Sequence, residues 1–208
     1  MSQDVILYTN PMSRGRIARW MLEEIGCPYT AEIIDYGPAM RTPDYLAINP
    51  LGKVPAIRHG DQIVSECAAI CAYLADAFPE AGLAPLPAER GSYYRALFFT
   101  AGPIEAATTN HHFGFDPEGE QNQGMSGYGS FTRMLDALEK IVPAEGYVTG
   151  ARFSAADLYL GAHVGWGLQF GSLEERPGFA AYWARVSDRE AYRRAQAMDE
   201  ALMPKEAG

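Results

Sequence analysis

Between Asp4 and Phe78 the spacing of apolar residues alternates between two periods, and after Phe78 only one of them survives. DVILYT reads as a buried strand. From Arg14 the apolar positions Ile17, Ala18, Met21, Leu22 and Ile25 fall on one helical face, with Gly26 as the stop. YTAEIIDY is a second strand, and strand, helix, strand in one sheet closes as a right-handed parallel pair. TPDYLAIN is a short helical turn. KVPAIRHG and QIVS form a tight hairpin about Gly60 and Asp61, and ECAAICAYLADAF returns to helical spacing. The order is βαβ followed by ββα, which describes a small mixed sheet with helices. PEAGLAPLPAER is rich in proline and reads as a linker. Beyond it GSYYRALFFTAGPIEAATTNHH, YGSFTRMLDALEKIV, SAADLYLGAHVGWGLQF and PGFAAYWARVSDREAYRRAQAM all carry helical spacing, and DPEGEQNQGMSGYGS reads as a long polar loop. The expected fold class is α/β plus all-α, divided into residues 1–79, a linker at 80–90, and a helical domain at 91–208.

Composition narrows the functions. A net charge of −9 argues against nucleic-acid binding, so an anionic ligand has to be drawn by a local basic cluster. No apolar run reaches the roughly 18 residues of a membrane span, and MSQDVILYTN lacks the form of a signal peptide. Three cysteines, Cys27, Cys67 and Cys71, are odd in number and lack metal-ligand spacing, which reads as a reducing cytoplasm and no metal. In the second half, Ser154 and Asp157 have the spacing of a capping box, with Phe153 placed as a hydrophobic staple.

NPLGKVPAI, an acid-led helix after a hairpin, and then FSAADLYL, taken in that order from Ile6 to about Ala197, resemble the cytosolic glutathione S-transferase family. The resemblance implies a thioredoxin-like N-terminal domain, an all-helical C-terminal domain and a homodimer. It further implies glutathione as co-substrate on the first domain and a small hydrophobic electrophile between the domains.

The resemblance also assigns residues. Val54 and Pro55 are expected to form a cis peptide, a feature kept for local geometry. The main chain of Val54 then pairs with the cysteinyl backbone of glutathione like an added strand. Glu66 answers the γ-glutamyl ammonium, and the start of the helix that follows offers N–H groups to its carboxylate. Cys67 departs from the family's usual Ser or Thr; it is either a passive small residue or, at a helix N-terminus, a thiol of lowered pKa. Arg41 and Lys53 are the expected contacts of the glycyl carboxylate, and Glu105 that of a neighbouring subunit's glutathione ammonium.

The donor that holds the glutathione thiolate falls in LYTNPMSRGRIARW, in more than one register. Counted from the strand it is Thr9 or Asn10; counted back from Gly26 it is Met12 or Ser13; the tyrosine-using classes point to Tyr8. Ser13 is preferred because it precedes a helix, with Asn10 and then Thr9 as alternates, although Ser13 also suits a helix cap. No cysteine stands in this segment, which argues against the omega-like and beta-like classes. Phe113, His111, His112 and Trp166 are the expected electrophile contacts. The neighbouring histidines diverge by about 100° on a helix and do not make a metal site. The function implied is detoxifying conjugation of glutathione to hydrophobic electrophiles. The alternatives are a glutathione-dependent disulfide reductase or peroxidase, and a non-catalytic glutathione- or ligand-binding module.

Overall fold

A computed structural model describes residues 4–203 of the chain. Those residues divide into two compact units, one of residues 4–83 with 189–203, the other Ala84–Asp188.

The first unit is the thioredoxin-like one. Its elements are β1 (Val5–Thr9), α1 (Gly15–Ile25), β2 (Tyr29–Ile33), α2 (Pro43–Ile48), β3 (Ala56–His59), β4 (Gln62–Ser65) and α3 (Cys67–Ala77). The strands lie in the order β2-β1-β3-β4. β1 and β2 run parallel, from Val5 opposite Tyr29 to Thr9 opposite Ile33. β3 is antiparallel to both β1 and β4, with Tyr8 opposite Ala56 and Ala56 opposite Ser65. α1 and α3 pack on each other and on the sheet. A separate core cluster joins Tyr8 and Ala56 to Met40 and Tyr45, from α2 and the 3-10 turn before it.

The sequence reading placed residues 91–208 in one helical domain, and the structure corrects this. PGFAAYWARVSDREAYRRAQAM forms two helices, α9 (Pro177–Ser187) and α10 (Glu190–Glu200), and α10 packs along α1. Arg19 and Asp199, 4 % and 0 % exposed, pair at 2.8 Å. Arg189 grips the Glu24 carboxylate with Nε at 2.6 Å and Nη2 at 2.7 Å, and Arg194 pairs with Glu23 at 2.9 Å. The Trp20 and Tyr192 rings meet edge-on, 4.8 Å between centroids. Helical spacing shows that the segment is helical; it carries no information about which partner the helix chooses.

The second unit is helical: α4 (Arg90–Phe99), α5 (Glu105–Phe113), α6 (Gly119–Met125), α7 (Phe131–Ile141), α8 (Ala155–Gln169) and α9. A π turn over Thr100–Ile104 joins α4 to α5 at Pro103, whose missing N–H cannot continue an α-helical ladder. The expected polar loop contains α6. The Ser154–Asp157 capping box forms. Asp157 is buried and accepts four hydrogen bonds, from the N–H of Val148 (2.7 Å), the N–H and hydroxyl of Ser154 (3.0 and 2.7 Å) and the Tyr182 hydroxyl (2.9 Å).

Candidate functional site

In the first unit, a loop, a helix start and a turn carry the residues singled out from the sequence. The loop is Asn49–Pro55. Asn49 is buried; its amide Nδ2 donates to the Lys53 carbonyl at 2.8 Å, and its Oδ1 accepts from the Leu51 N–H at 3.1 Å. The Tyr45 hydroxyl donates to the same Lys53 carbonyl at 2.6 Å, and burial holds its pKa up at about 12, so that it keeps its proton for that bond. Gly52 has φ +59, and a Cβ there would lie 2.6 Å from the Met40 carbonyl oxygen, so only glycine fits. The Val54–Pro55 peptide is cis. Strand pairing begins at Ala56, and among the described residues neither main-chain group of Val54 takes part in a ladder or turn hydrogen bond. The Lys53 side chain is exposed, as is Arg41 at the end of the 3-10 turn Pro38–Arg41.

The helix start is Glu66 and Cys67. Glu66 adopts φ 65 and ψ 115, the one positive φ outside glycine among the described residues. Such backbone costs about 1–3 kcal/mol and gathers at functional sites. Its carbonyl already accepts from Ile70, and the first-turn N–H groups of α3 have no carbonyl of their own helix to bond. Cys67 is 7 % exposed, and its Sγ donates to the Arg14 carbonyl at 3.7 Å. That contact joins the start of α3 to the turn before α1.

The turn runs from Thr9 to Gly15, and the three candidate donors in it are not equivalent. Thr9 is fully buried against Gly15, where an added Cβ would overlap its hydroxyl. Asn10, also buried, spends its side chain on the fold: Nδ2 donates to the Ile34 carbonyl at 3.1 Å, and Oδ1 accepts from the Met12 N–H at 3.0 Å. Ser13 is half-buried; its hydroxyl donates to the Asn10 carbonyl at 2.7 Å and accepts from the Gly15 N–H at 2.9 Å. The bond from Gly15 ties Ser13 to the first residue of α1, one position ahead of Arg14 at the helix cap. The hydroxyl proton reaches a ligand only if it leaves Asn10. Tyr8 lies in the sheet core with its ring edge-on to Tyr45, and burial raises its pKa. Spacing did not reveal Tyr36, whose hydroxyl donates to the Met12 carbonyl at 3.1 Å from 24 residues away. The bracing by Asn49 had a signal, since asparagine in a turn bonds nearby main chain.

In the helical unit the remaining residues fall into two neighbourhoods. Glu105 accepts from the Tyr159 hydroxyl at 3.1 Å and lies 3.0 Å from Nε2 of His163, whose ring in turn lies 6.4 Å from that of Trp166. His111 stacks on Phe131 at 4.0 Å and bonds Asp116 through Nδ1 at 2.6 Å. His112 meets Phe113 edge-on, and Phe113 is 61 % exposed. From Glu105 to Phe113 is about 12 Å along α5, and Trp166 lies beside His163. No set of three or more His, Cys, Asp or Glu residues is grouped to hold a metal among the described residues.

The chain has relatives in sequence and in structure. The family "Glutathione S-transferase, N-terminal domain" matches residues 12–77. Glutathione S-transferase 1 of Dianthus caryophyllus is 30% identical over 128 residues, 59% of this chain and 58% of that one, so the match spans less than two thirds of that relative's length. The crystal structure of a glutathione transferase from Methylococcus capsulatus is 30% identical, with a TM-score of 0.74 over 96% of this chain and 100% of that one. A sphingomonad glutathione S-transferase complexed with glutathione is 27% identical, with a TM-score of 0.74 over 94% and 98% of the two chains. With its strand order, its cis-proline loop and these relatives, the chain belongs to the glutathione S-transferase family.

Proposed function

We propose that the protein conjugates the thiolate of glutathione to hydrophobic electrophiles. The observation that carries this reading is the main chain of Val54, left outside the sheet while Asn49 and Tyr45 fix the carbonyl just before it. An extended tripeptide can pair there as an added antiparallel strand. Glu66 then answers its γ-glutamyl ammonium, the start of α3 its γ-glutamyl carboxylate, and Arg41 and Lys53 its glycyl carboxylate. Cys67 spends its S–H on Arg14, so the carboxylate is held by N–H groups rather than by a side-chain hydroxyl.

Ser13 supplies the sulfur's donor by swinging its hydroxyl from the Asn10 carbonyl. A thiol of pKa about 8.5 needs to drop by about two units to be mostly thiolate at neutral pH, about 2.7 kcal/mol. One hydrogen bond to a charged group, about 1.5–3 kcal/mol, reaches that figure. The exposed Phe113 contacts the electrophile in this reading, so Phe113→Ala raises KM for the electrophile and leaves glutathione affinity alone. The family also brings the expectation of a cytoplasmic, detoxifying homodimer, which sedimentation of the purified chain tests in part.

The deciding experiment assays conjugation of a chloronitrobenzene and reduction of hydroxyethyl disulfide side by side, for wild type, Ser13→Ala, Asn10→Ala and Thr9→Ala. Conjugation by wild type that collapses in Ser13→Ala supports the proposal. Full conjugation in all three variants sinks the assignment of the turn. Disulfide reduction alone replaces conjugation with the reductase reading, and retention on immobilised glutathione with neither activity replaces it with the binding module.

A further inference from the structure

We propose that Tyr36 is a positioning residue for the turn that activates the thiol; this rests on the conjugation reading above. The segment after β2 touches the turn at three points. The Ile34 N–H donates to the Thr9 carbonyl at 2.8 Å, Asn10 Nδ2 donates to the Ile34 carbonyl at 3.1 Å, and the Tyr36 hydroxyl donates to the Met12 carbonyl at 3.1 Å. The first continues the β1–β2 pairing by one residue, and the second is a part-buried side-chain bond beside it. The third is different, because Tyr36 is 51 % exposed and comes to the turn from a surface position.

Its target fixes its role. The peptide between Met12 and Ser13 is planar, so holding both of its polar ends sets the direction in which Ser13 leaves the main chain. The Ser13 N–H end is held by the Asn10 carbonyl at 3.0 Å, and the Met12 carbonyl end by Tyr36. The Ser13 hydroxyl adds a second bond to the Asn10 carbonyl at 2.7 Å, which anchors the same residue while no thiolate is present. Once the hydroxyl turns to a sulfur, that anchor is gone. The plane is then held by the Ser13 N–H and by Tyr36, so the tyrosine matters most in the state that does chemistry. A hydroxyl aimed with even a small error forfeits much of its effect on the thiolate.

Tyr36→Phe removes the hydroxyl and keeps the ring. The test titrates glutathione bound to wild type, Tyr36→Phe, Tyr36→Ala, Ser13→Ala and the Ser13→Ala/Tyr36→Phe double variant, following the thiolate by its ultraviolet absorbance, with kcat, KM and thermal unfolding measured alongside. Tyr36→Phe is expected to bind glutathione within about twofold of wild type, to lose about threefold to tenfold in kcat, and to titrate at higher pH. Tyr36→Ala should match it, and the double variant should be no worse than Ser13→Ala, because the tyrosine acts through the serine. A wild-type titration and kcat in Tyr36→Phe overturns the proposal. So does a defect confined to Tyr36→Ala, which assigns the effect to the ring, and so does full additivity in the double variant. A wild type that binds no glutathione, or binds it without forming thiolate, overturns the conjugation reading as well and is told apart by that first measurement.

Discussion

The loop of residues 49–55 and the turn of residues 9–15 flank one candidate site and are built from opposite materials. The loop offers main chain: Val54 is presented by a carbonyl next door that two buried side chains hold, and by a glycine that nothing larger can replace. The turn offers a side chain: Ser13 is half-buried, and its hydroxyl donates to the Asn10 carbonyl at 2.7 Å. Recognition of a peptide backbone tolerates no movement, so its supports are buried and costly to remove. Activation of a thiol needs one proton to move, so its support is a short bond at a half-buried position. Stability and activity should therefore part company when the two are mutated.

The sharpest break is Gly52→Ala. The new methyl meets the main chain of Met40 rather than a flexible side chain, and φ +59 is unfavourable besides. A loss of about 2–4 kcal/mol is expected, with glutathione binding abolished, read from urea midpoints and affinity retention. Asn49→Ala follows at about 2 kcal/mol, since the Leu51 N–H loses its partner while Tyr45 still serves the Lys53 carbonyl; glutathione KM should rise more than kcat falls. Ser13→Ala should invert that pattern. Loss of the acceptor for the Gly15 N–H costs about 1 kcal/mol of stability, but conjugation at neutral pH falls about tenfold to a hundredfold and recovers as pH rises. If Ser13→Ala lowers stability and rate in proportion, the distinction between the two halves is lost.

The smallest effect is a pair of pH windows. Burial raises the Tyr45 pKa to about 12, above its unfolded value of about 10. Its contribution to stability is whole below about pH 10 and drains as pH climbs from about 10 to about 12. Tyr45→Phe should therefore flatten the alkaline limb of the stability curve. Behind the turn, burial raises the Asp199 carboxyl against the pull of Arg19. The folded state then holds that proton more tightly than the unfolded chain. Its contribution is greatest below the unfolded carboxylate pKa of about 3.9 and declines as pH rises above it. Asp199→Asn should lessen that decline and leave the alkaline limb untouched. Denaturant midpoints across pH for both variants check the assignment, and a single shared window would contradict it.

Much of the site was legible where its geometry is local. Asn49, Pro50 and Gly52 announce a turn, Val54–Pro55 follows, and the Ser154–Asp157 pair places the start of α8. The bonding of Ser13 was not legible, because serine before a helix suits both a cap and a donor to a ligand, and its bonds to Asn10 and Gly15 appear only in the folded turn. Tyr36 was invisible for another reason: a tyrosine at the end of a strand pattern shows nothing of a carbonyl 24 residues earlier. α6 escaped because GEQNQGM has no apolar stripe to reveal a helix.

By itself, then, the sequence determined most of the strands and helices and where the chain must turn, since these follow from residues a few positions apart. The tertiary structure decided which helix accompanies which. Arg19 finds Asp199 across 180 residues, and α10 thereby joins the sheet-bearing unit rather than the helical one. It also decided the surroundings of the three polar side chains in one turn: Thr9 and Asn10 are buried, and Ser13 is half-buried with its hydroxyl on the Asn10 carbonyl. Both decisions depend on burial and on partners remote in the chain, and apolar spacing encodes the face a helix buries without naming what covers it.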